Sequence, residues 1–225
     1  MRASVVGAAR TAEELGRAFP GATVRTSGAG RVLETVEDRP AIVVATPGAE
    51  PVVAGPPPAC GGGYGAALLL DGWALLSRPD LRAAEETLRR WMNAAALVRP
   101  GATVVVGADA SIPAVQALVR WDPAGAAARE LADRSELGFP PAVRMASVTG
   151  TAGAVADLLA VARLPVSAQR IGPAPADGED QRLLLRVPRS DGRLLVTALK
   201  EAAALRSARK AAEPVRIVLD PAELG

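Results

Sequence analysis

The chain has 225 residues, 49% of them hydrophobic and 22% charged. That is room for one large domain or two small ones, with enough apolar side chain to build a core, so a disordered tail is excluded. There is no histidine and a single cysteine, Cys60. A four-ligand zinc site, a Ser-His-Asp or Cys-His centre, a histidine general base and an internal disulfide are therefore all out of reach, and a reducing cytoplasm is expected. Aromatics are only 3%, so the core must be alanine, valine and leucine. No apolar run has the roughly 18–20 residues of a membrane helix, and Met1–Gly7 holds no signal-peptide hydrophobic region.

In chain order, residues 3–7 read as a short apolar strand. Thr11-Ala12-Glu13-Glu14 has the form of a capping box, predicting a helix that starts at Thr11 and stops at Pro20-Gly21. Thr23–Ser27 and Ala41–Thr46 read as strands, the second buried. Pro47–Gly65, with Pro56-Pro57-Pro58 and Gly61-Gly62-Gly63, has too many breakers for regular structure and is expected to be a functional or mobile loop. Ala66–Asp71 is a continuous apolar strand, Asp80 to about Leu97 a long amphipathic helix, and Ala102–Val106 another strand. Ser111–Trp121 and Ala124–Arg134 read as helices. Alternating apolar strands and helices predict a parallel sheet covered on both faces. The three tryptophans, Trp73, Trp91 and Trp121, read as core, with Trp73 placed where it could reach a sheet edge.

The pattern changes at Gly138-Phe139-Pro140-Pro141, where Pro-Pro forces an extended chain. Beyond it come strand 143–149, helix 152–162, strand 168–172, turn 173–180, strand 181–187, helix 191–207 and strand 214–219. That β-α-β-β-α-β order predicts a split βαβ domain. Two domains are thus expected, 1–137 and 138–225.

The net charge of +2 conceals an uneven distribution. Residues 1–140 carry 14 basic and 15 acidic side chains, and residues 141–225 carry 12 and 9. Residues 181–210 concentrate Arg182, Arg186, Arg189, Arg193, Lys200, Arg206, Arg209 and Lys210 against Asp191 and Glu201. Such a local excess suits an acidic partner. Within it, Ser190 or Asp191 is placed to cap a helix. Arg193, Thr197 and Lys200 then recur at i, i+4 and i+7, a polar stripe opposite Leu194, Leu195, Ala198, Leu199 and Leu205. Arg186 and Arg189 lead into it. The stripe suits either a solvated face or a docking site for phosphates or an acidic peptide. No Walker A loop exists, because both lysines lie at 200 and 210. Gly61-Gly62-Gly63 lacks a nearby lysine, and the pairs Glu13/Glu14 and Glu85/Glu86 read as solvated helix faces.

Five stretches, in this order, carry a resemblance: Val5 to Leu15, Leu70-Asp71-Gly72-Trp73-Ala74-Leu75 with Asp80 to Glu85, Gly138-Phe139-Pro140-Pro141, Ile171 to Ala176, and Val218-Leu219-Asp220-Pro221. Together they resemble the C-terminal third of the primosomal protein N′ family, the bacterial replication restart helicases. The resemblance implies a RecA-like parallel-sheet helicase lobe 2 in residues 1–137 and the family's C-terminal α/β domain in 138–225. It also marks departures. Where the family's motif V reads Gly-Thr-Gln-Met and then Lys-Gly, this sequence has Ala45-Thr46-Pro47-Gly48 and then Pro51-Val52. Where the family has Gln-Val-Ala-Gly-Arg-Ala-Gly-Arg, it has Met92 to Arg99, so Ala96 replaces one arginine finger and Arg99 is the only candidate remnant. An arginine finger can contribute about 10³-fold or more to phosphoryl transfer.

The resemblance therefore implies the degenerate actinobacterial form, a non-enzyme. The family's ATP, magnesium and zinc are used through regions outside this chain, and no cofactor or metal is expected here. The implied partners are forked or single-stranded DNA, the acidic C-terminal tail of single-stranded DNA-binding protein and other primosome proteins, with no membrane. A cytoplasmic, nucleoid-associated monomer is expected. In the family an arginine near the start of the last helix and a polar residue one turn on help to hold the tail. Arg193 or Arg189, and Thr197, are closest by position, with Arg186 and Lys200 adjoining. The alternatives are an active ATP-dependent helicase half that needs a first lobe, and an unrelated α/β enzyme with a ferredoxin-like small-molecule domain.

Overall fold

The computed structural model describes residues 7–209 and 213–223. The strand expected at residues 3–7 and the side chain of Lys210 lie outside them. The chain forms two compact units: one of residues up to Arg78 together with Ala83–Ala126, the other of Pro79–Arg82 together with the residues from Ala127 onward. Both mix helix and strand, as the alternation of apolar strands and amphipathic helices led us to expect.

The first unit opens with α1 (Ala8–Ala18). This helix starts a turn earlier than Thr11, because Ala8, Ala9 and Arg10 are themselves strong helix formers. The expected capping box does not form. Gly7 is the N-cap and makes no side-chain cap, and Glu14 accepts from Arg10 Nε at 3.2 Å instead of turning back. The helix packs on β1 (Thr23–Ser27), which runs parallel to a later strand, β3 (Ala41–Ala45). Between them lies β2 (Thr35–Val36), which pairs in parallel with β4 (Val52–Val53). The segment read as one long loop therefore contains a ladder and, further on, a 3-10 turn at Pro58–Cys60. Ser27, buried at the end of β1, ties it to this segment: its hydroxyl donates to the Ala49 carbonyl at 2.6 Å and accepts from Leu33 N at 3.0 Å.

β5 (Tyr64–Leu69) follows, then α2 (Gly72–Leu76), α3 (Ala83–Ala95) and β6 (Val98–Val106), which pairs in parallel with β5. The sequence reading missed α2 and ran α3 from Asp80. The Asp80 carboxylate instead accepts from Arg82 N at 2.8 Å, ordering a turn ahead of the helix. Gly72 is required where α2 starts, because a Cβ there would stand 3.0 Å from both the Trp91 ring and Ala108. α4 (Pro113–Arg120) completes the first unit, and α5 (Pro123–Leu137) begins in it, with its residues from Ala127 onward counted in the second. Leu69, Leu88, Trp91, Ala114, Val115, Ala117 and Leu118 form the core of the first unit.

The expectation of one parallel sheet covered on both faces is not met. Among the described residues the parallel strands form three separate two-stranded ladders. Leu68 and Val105, opposite one another on β5 and β6, are 67% and 48% exposed. Alternation decides this: Leu69 turns towards Leu88 and Trp91, so Leu68 must turn away from them.

The second unit runs β7 (Val143–Gly150), α6 (Ala152–Val161), β8 (Gln169–Pro175), β9 (Gln181–Pro188), a 3-10 turn at Arg189–Asp191, α7 (Gly192–Ala208) and β10 (Arg216–Leu219). Its four strands form one sheet, in the order β10-β7-β9-β8, with every neighbouring pair antiparallel. Ala146 and Val148 of β7 and Leu183, Leu185 and Val187 of β9 face Val155 and Leu158 of α6 and Leu195, Leu199 and Ala202 of α7. Thr151 caps α6, its hydroxyl accepting from Ala154 N at 3.2 Å. Buried Arg206 closes the helix layer: Nη1 donates to the Ala154 carbonyl at 2.9 Å and Nη2 to that of Glu213 at 2.8 Å. Asp220 secures the last strand by accepting from Met145 N at 3.0 Å and pairing with Arg144.

Candidate binding face on the last helix

Two helix ends set the position of the basic residues. α5 stops because Gly138 adopts φ +70°, a conformation a side chain resists, while Phe139 N donates back to the Arg134 carbonyl at 2.8 Å. A Cβ on Gly138 would lie 2.4 Å from Arg186 Nη1. That space holds the Arg186 guanidinium, which donates to the Leu137 and Gly138 carbonyls, each at 3.2 Å, and through Nη2 to Gln169 Oε1 at 2.7 Å. Arg186 is thus a brace between β9 and the end of α5, not a free charge. Arg189 is exposed and spends one nitrogen on the Pro141 carbonyl at 3.1 Å. Arg182 contributes less than its charge suggests, since its Nη1 is buried without an acceptor among the described residues.

The expected cap of α7 takes another form. Asp191 occupies the N-cap position but makes no side-chain cap. Its carboxylate instead accepts from the Ser167 hydroxyl at 2.5 Å and the Ser190 hydroxyl at 3.1 Å. The 3-10 turn that leads into α7 already occupies its first amide, Gly192 N donating to the Arg189 carbonyl.

Leu195, Ala198, Leu199, Ala202 and Arg206 bury one side of α7. Leu194 and Leu205, read from sequence as part of the apolar side, are exposed instead, Leu194 by 58%. Their positions fall off the edge of a stripe only about 100° wide. The opposite side is an open face carrying Arg193, Val196, Thr197, Lys200, Glu201 and Ala204. The structure thus brings Arg193, Thr197 and Lys200 together along one exposed helix face, with Glu201 and the apolar side chains of Val196 and Ala204 exposed beside them. Among the described residues neither Arg193 nor Lys200 has a hydrogen-bond or ion-pair partner. A face of this kind can take an anion at Arg193, near the helix N-terminus, with apolar groups alongside.

The positions that the resemblance matched to helicase motifs, Ala96 and Arg99, lie in the first unit. Ala96 sits at the end of α3, its amide donating to the Met92 carbonyl at 2.9 Å. Arg99 is exposed on β6, its guanidinium beside Gly65. The turn after β3 is closed on itself: Gly48 N donates to both oxygens of Glu50, at 2.9 and 3.0 Å. Arg90 Nη1 reaches the Pro47 carbonyl at 3.4 Å. Glu86, between Arg89 and Arg90, accepts from both side chains, and those bonds hold its carboxyl at about 2. Tyr64 donates to the Pro51 carbonyl at 2.7 Å, and burial, then the Glu50 charge, raise its hydroxyl above the ordinary range. Among the described residues no group of three histidine, cysteine, aspartate or glutamate side chains could hold a metal. No helix among the described residues is long and apolar enough to cross a membrane.

A mixed α/β chain with a basic helix face on its C-terminal sheet unit is the class these observations define. Residues 135–222 match the family described as Primosomal protein N C-terminal domain. Over its whole length the chain is 52% identical to the probable replication restart protein PriA of Mycobacterium leprae, covering 36% of that protein. It is 50% identical to the same-named protein of Mycobacterium tuberculosis strain H37Rv, covering 37% of it. The chain thus spans a little over a third of the length of the curated relatives it matches.

Proposed function

We propose that this chain works in replication restart as a binding and scaffold element without ATP-driven unwinding of its own. Its ligands are forked or single-stranded DNA, the acidic C-terminal tail of single-stranded DNA-binding protein and other primosome proteins. Residues 1–137 are read as a RecA-like helicase lobe 2 and residues 138–225 as a split βαβ domain. The parallel pairing of β5 with β6, joined through α2 and α3, supports the first assignment. The 4-1-3-2 strand order and the start of the family match at residue 135 support the second.

One observation carries the binding reading: Arg193 and Lys200 stand unpaired among the described residues on an exposed face of α7, Arg193 in the first turn, where an anion is favoured. Arg189 stands at the head of that face, Thr197 lies between the two cations, and Arg186 holds the preceding strand in place. The absence of unwinding is read from the altered motifs. Ala96 has no charge to offer a transferring phosphoryl group, and Arg99 alone cannot replace a pair of fingers.

Fluorescence anisotropy with a labelled acidic tail peptide and with forked DNA tests this. Arg189→Ala/Arg193→Ala is expected to weaken peptide binding at least tenfold, and DNA binding is expected to fall steeply with salt. Unchanged peptide affinity in the double variant would sink the site assignment. DNA-stimulated ATP turnover by the 225-residue chain would contradict the non-catalytic reading.

A further inference from the structure

Pro79–Arg82 lies between α2 and α3 in sequence, yet in space it belongs to the unit formed from Ala127 onward. Leu81 is held there through both of its backbone groups. Its N–H donates to the Ala222 carbonyl at 3.0 Å, and its carbonyl accepts from Arg134 Nη2 at 2.5 Å. The Asp80 carboxylate closes the turn beside it on Arg82 N. Neither Leu81 nor Arg134 falls within residues 135–222, the stretch matched to the family domain.

Arg134 is the one buried residue of α5, 7% exposed. While Nη2 holds Leu81, Nη1 donates to the Pro140 carbonyl at 3.1 Å and Nε to Glu130 Oε1 at 2.7 Å. A guanidinium presents its donors in a fixed planar fork. Leu81 and Glu130 therefore orient the fork, and the fork sets where the Pro140 carbonyl lies. The next carbonyl, that of Pro141, accepts from Arg189 Nη1 at 3.1 Å. Both residues are prolines, whose rings fix φ, so there is little play between the two carbonyls. Arg189 is otherwise exposed. A free arginine side chain samples many rotamers, and ordering it on binding weakens the complex. The bond to Pro141 orders it beforehand and leaves Nε and Nη2 to a ligand.

We propose that Arg134, seated by Leu81, is a positioning residue for the α7 binding face: it fixes the carbonyl that holds Arg189 in place. This rests on the reading that the face, with Arg189 at its head, binds an acidic peptide. It makes Pro79–Arg82 part of the support of that site, although the segment comes far earlier in the chain.

Two measurements on the 225-residue chain test it, with a fluorescein-labelled acidic tail peptide of single-stranded DNA-binding protein as the probe. The first is hydrogen exchange of the unaltered chain. The Leu81 amide exchanges when its segment opens. A ligand that needs Arg189 in place favours the seated segment, because coupling between sites is reciprocal. Saturating peptide is expected to slow exchange at Leu81 about fivefold, and to leave it unchanged in Arg189→Ala. The second is a double-variant cycle read by anisotropy. Arg134→Ala is expected to weaken peptide binding about fivefold, but to add no further loss in Arg189→Ala, where the side chain it positions is gone. Arg134→Lys should recover only part of the affinity, since an ammonium cannot span both carbonyls as the fork does. An arginine that merely stabilises the fold would weaken binding equally in both backgrounds, and that result would overturn the proposal. Unchanged Leu81 exchange in the peptide complex would overturn it too, and needs no variant that must fold. Failure of the unaltered chain to bind the peptide would remove the α7 reading itself, and the positioning role with it.

Discussion

The two units handle apolar strands differently. In the C-terminal unit, β7 and β9 pair along their whole length, and ten buried residues from the sheet and two helices form one cluster. In the N-terminal unit, apolar strands pair two by two in parallel, with Leu68 and Val105 left open on one side of β5–β6. An antiparallel sheet under a single helix layer can complete its core with one face. Parallel strands are apolar on both sides and need cover on both. A continuous apolar strand such as Ala66–Asp71 therefore states what it requires, not what it receives.

The comparison is open to attack by mutation. Leu185→Ala in the C-terminal core is expected to cost about 2–5 kcal/mol, while the same truncation at Leu68 should cost about 0.5 kcal/mol or less. Urea denaturation of both variants measures the contrast, and equal losses would show that the open face of β5–β6 is covered in solution. Arg206→Ala, which leaves the Ala154 and Glu213 carbonyls without their donor, is expected to cost about 1.5–3 kcal/mol. Arg206→Lys should restore only part of it, since an ammonium cannot span both acceptors as the planar fork does.

A helix end sharpens the contrast on a smaller scale. Gly138→Ala should lose about 1–2 kcal/mol of stability and displace the Arg186 brace; calorimetry measures the loss. The smallest effect belongs to Glu86, whose bonds to Arg89 and Arg90 hold its carboxyl at about 2, below its ordinary 4.5. Its contribution is complete above about pH 4.5 and disappears as the pH falls through about 2. Because the pair faces solvent, Glu86→Gln should cost about 0.5 kcal/mol or less near neutrality and nothing at the acid end. A difference between wild type and variant that persists at the lowest pH would mean the glutamate acts through packing.

Much of the fold could be read from the chain. The elements from β7 to β10 stand within a few residues of where periodicity put them, because alternating apolar residues and the breakers between them are local signals. The candidate site was half readable. Arg193, Thr197 and Lys200 share a helix face by spacing alone, and they do lie together. Spacing could not separate Arg186 from them, since its partners, the Leu137 and Gly138 carbonyls and Gln169, come from two other places in the chain.

By itself the amino-acid order determined the mixed α/β class, the change of pattern near Gly138-Phe139-Pro140-Pro141, the lack of histidine chemistry and the basic run around α7. These follow from composition, from periodicity and from the fixed geometry of glycine and proline. The tertiary structure decided which apolar residues are buried, which arginines are braces and which are free, and that Trp121, read from sequence as core, is 54% exposed. Those are matters of what each side chain meets, and the partners are set by segments far away in the chain.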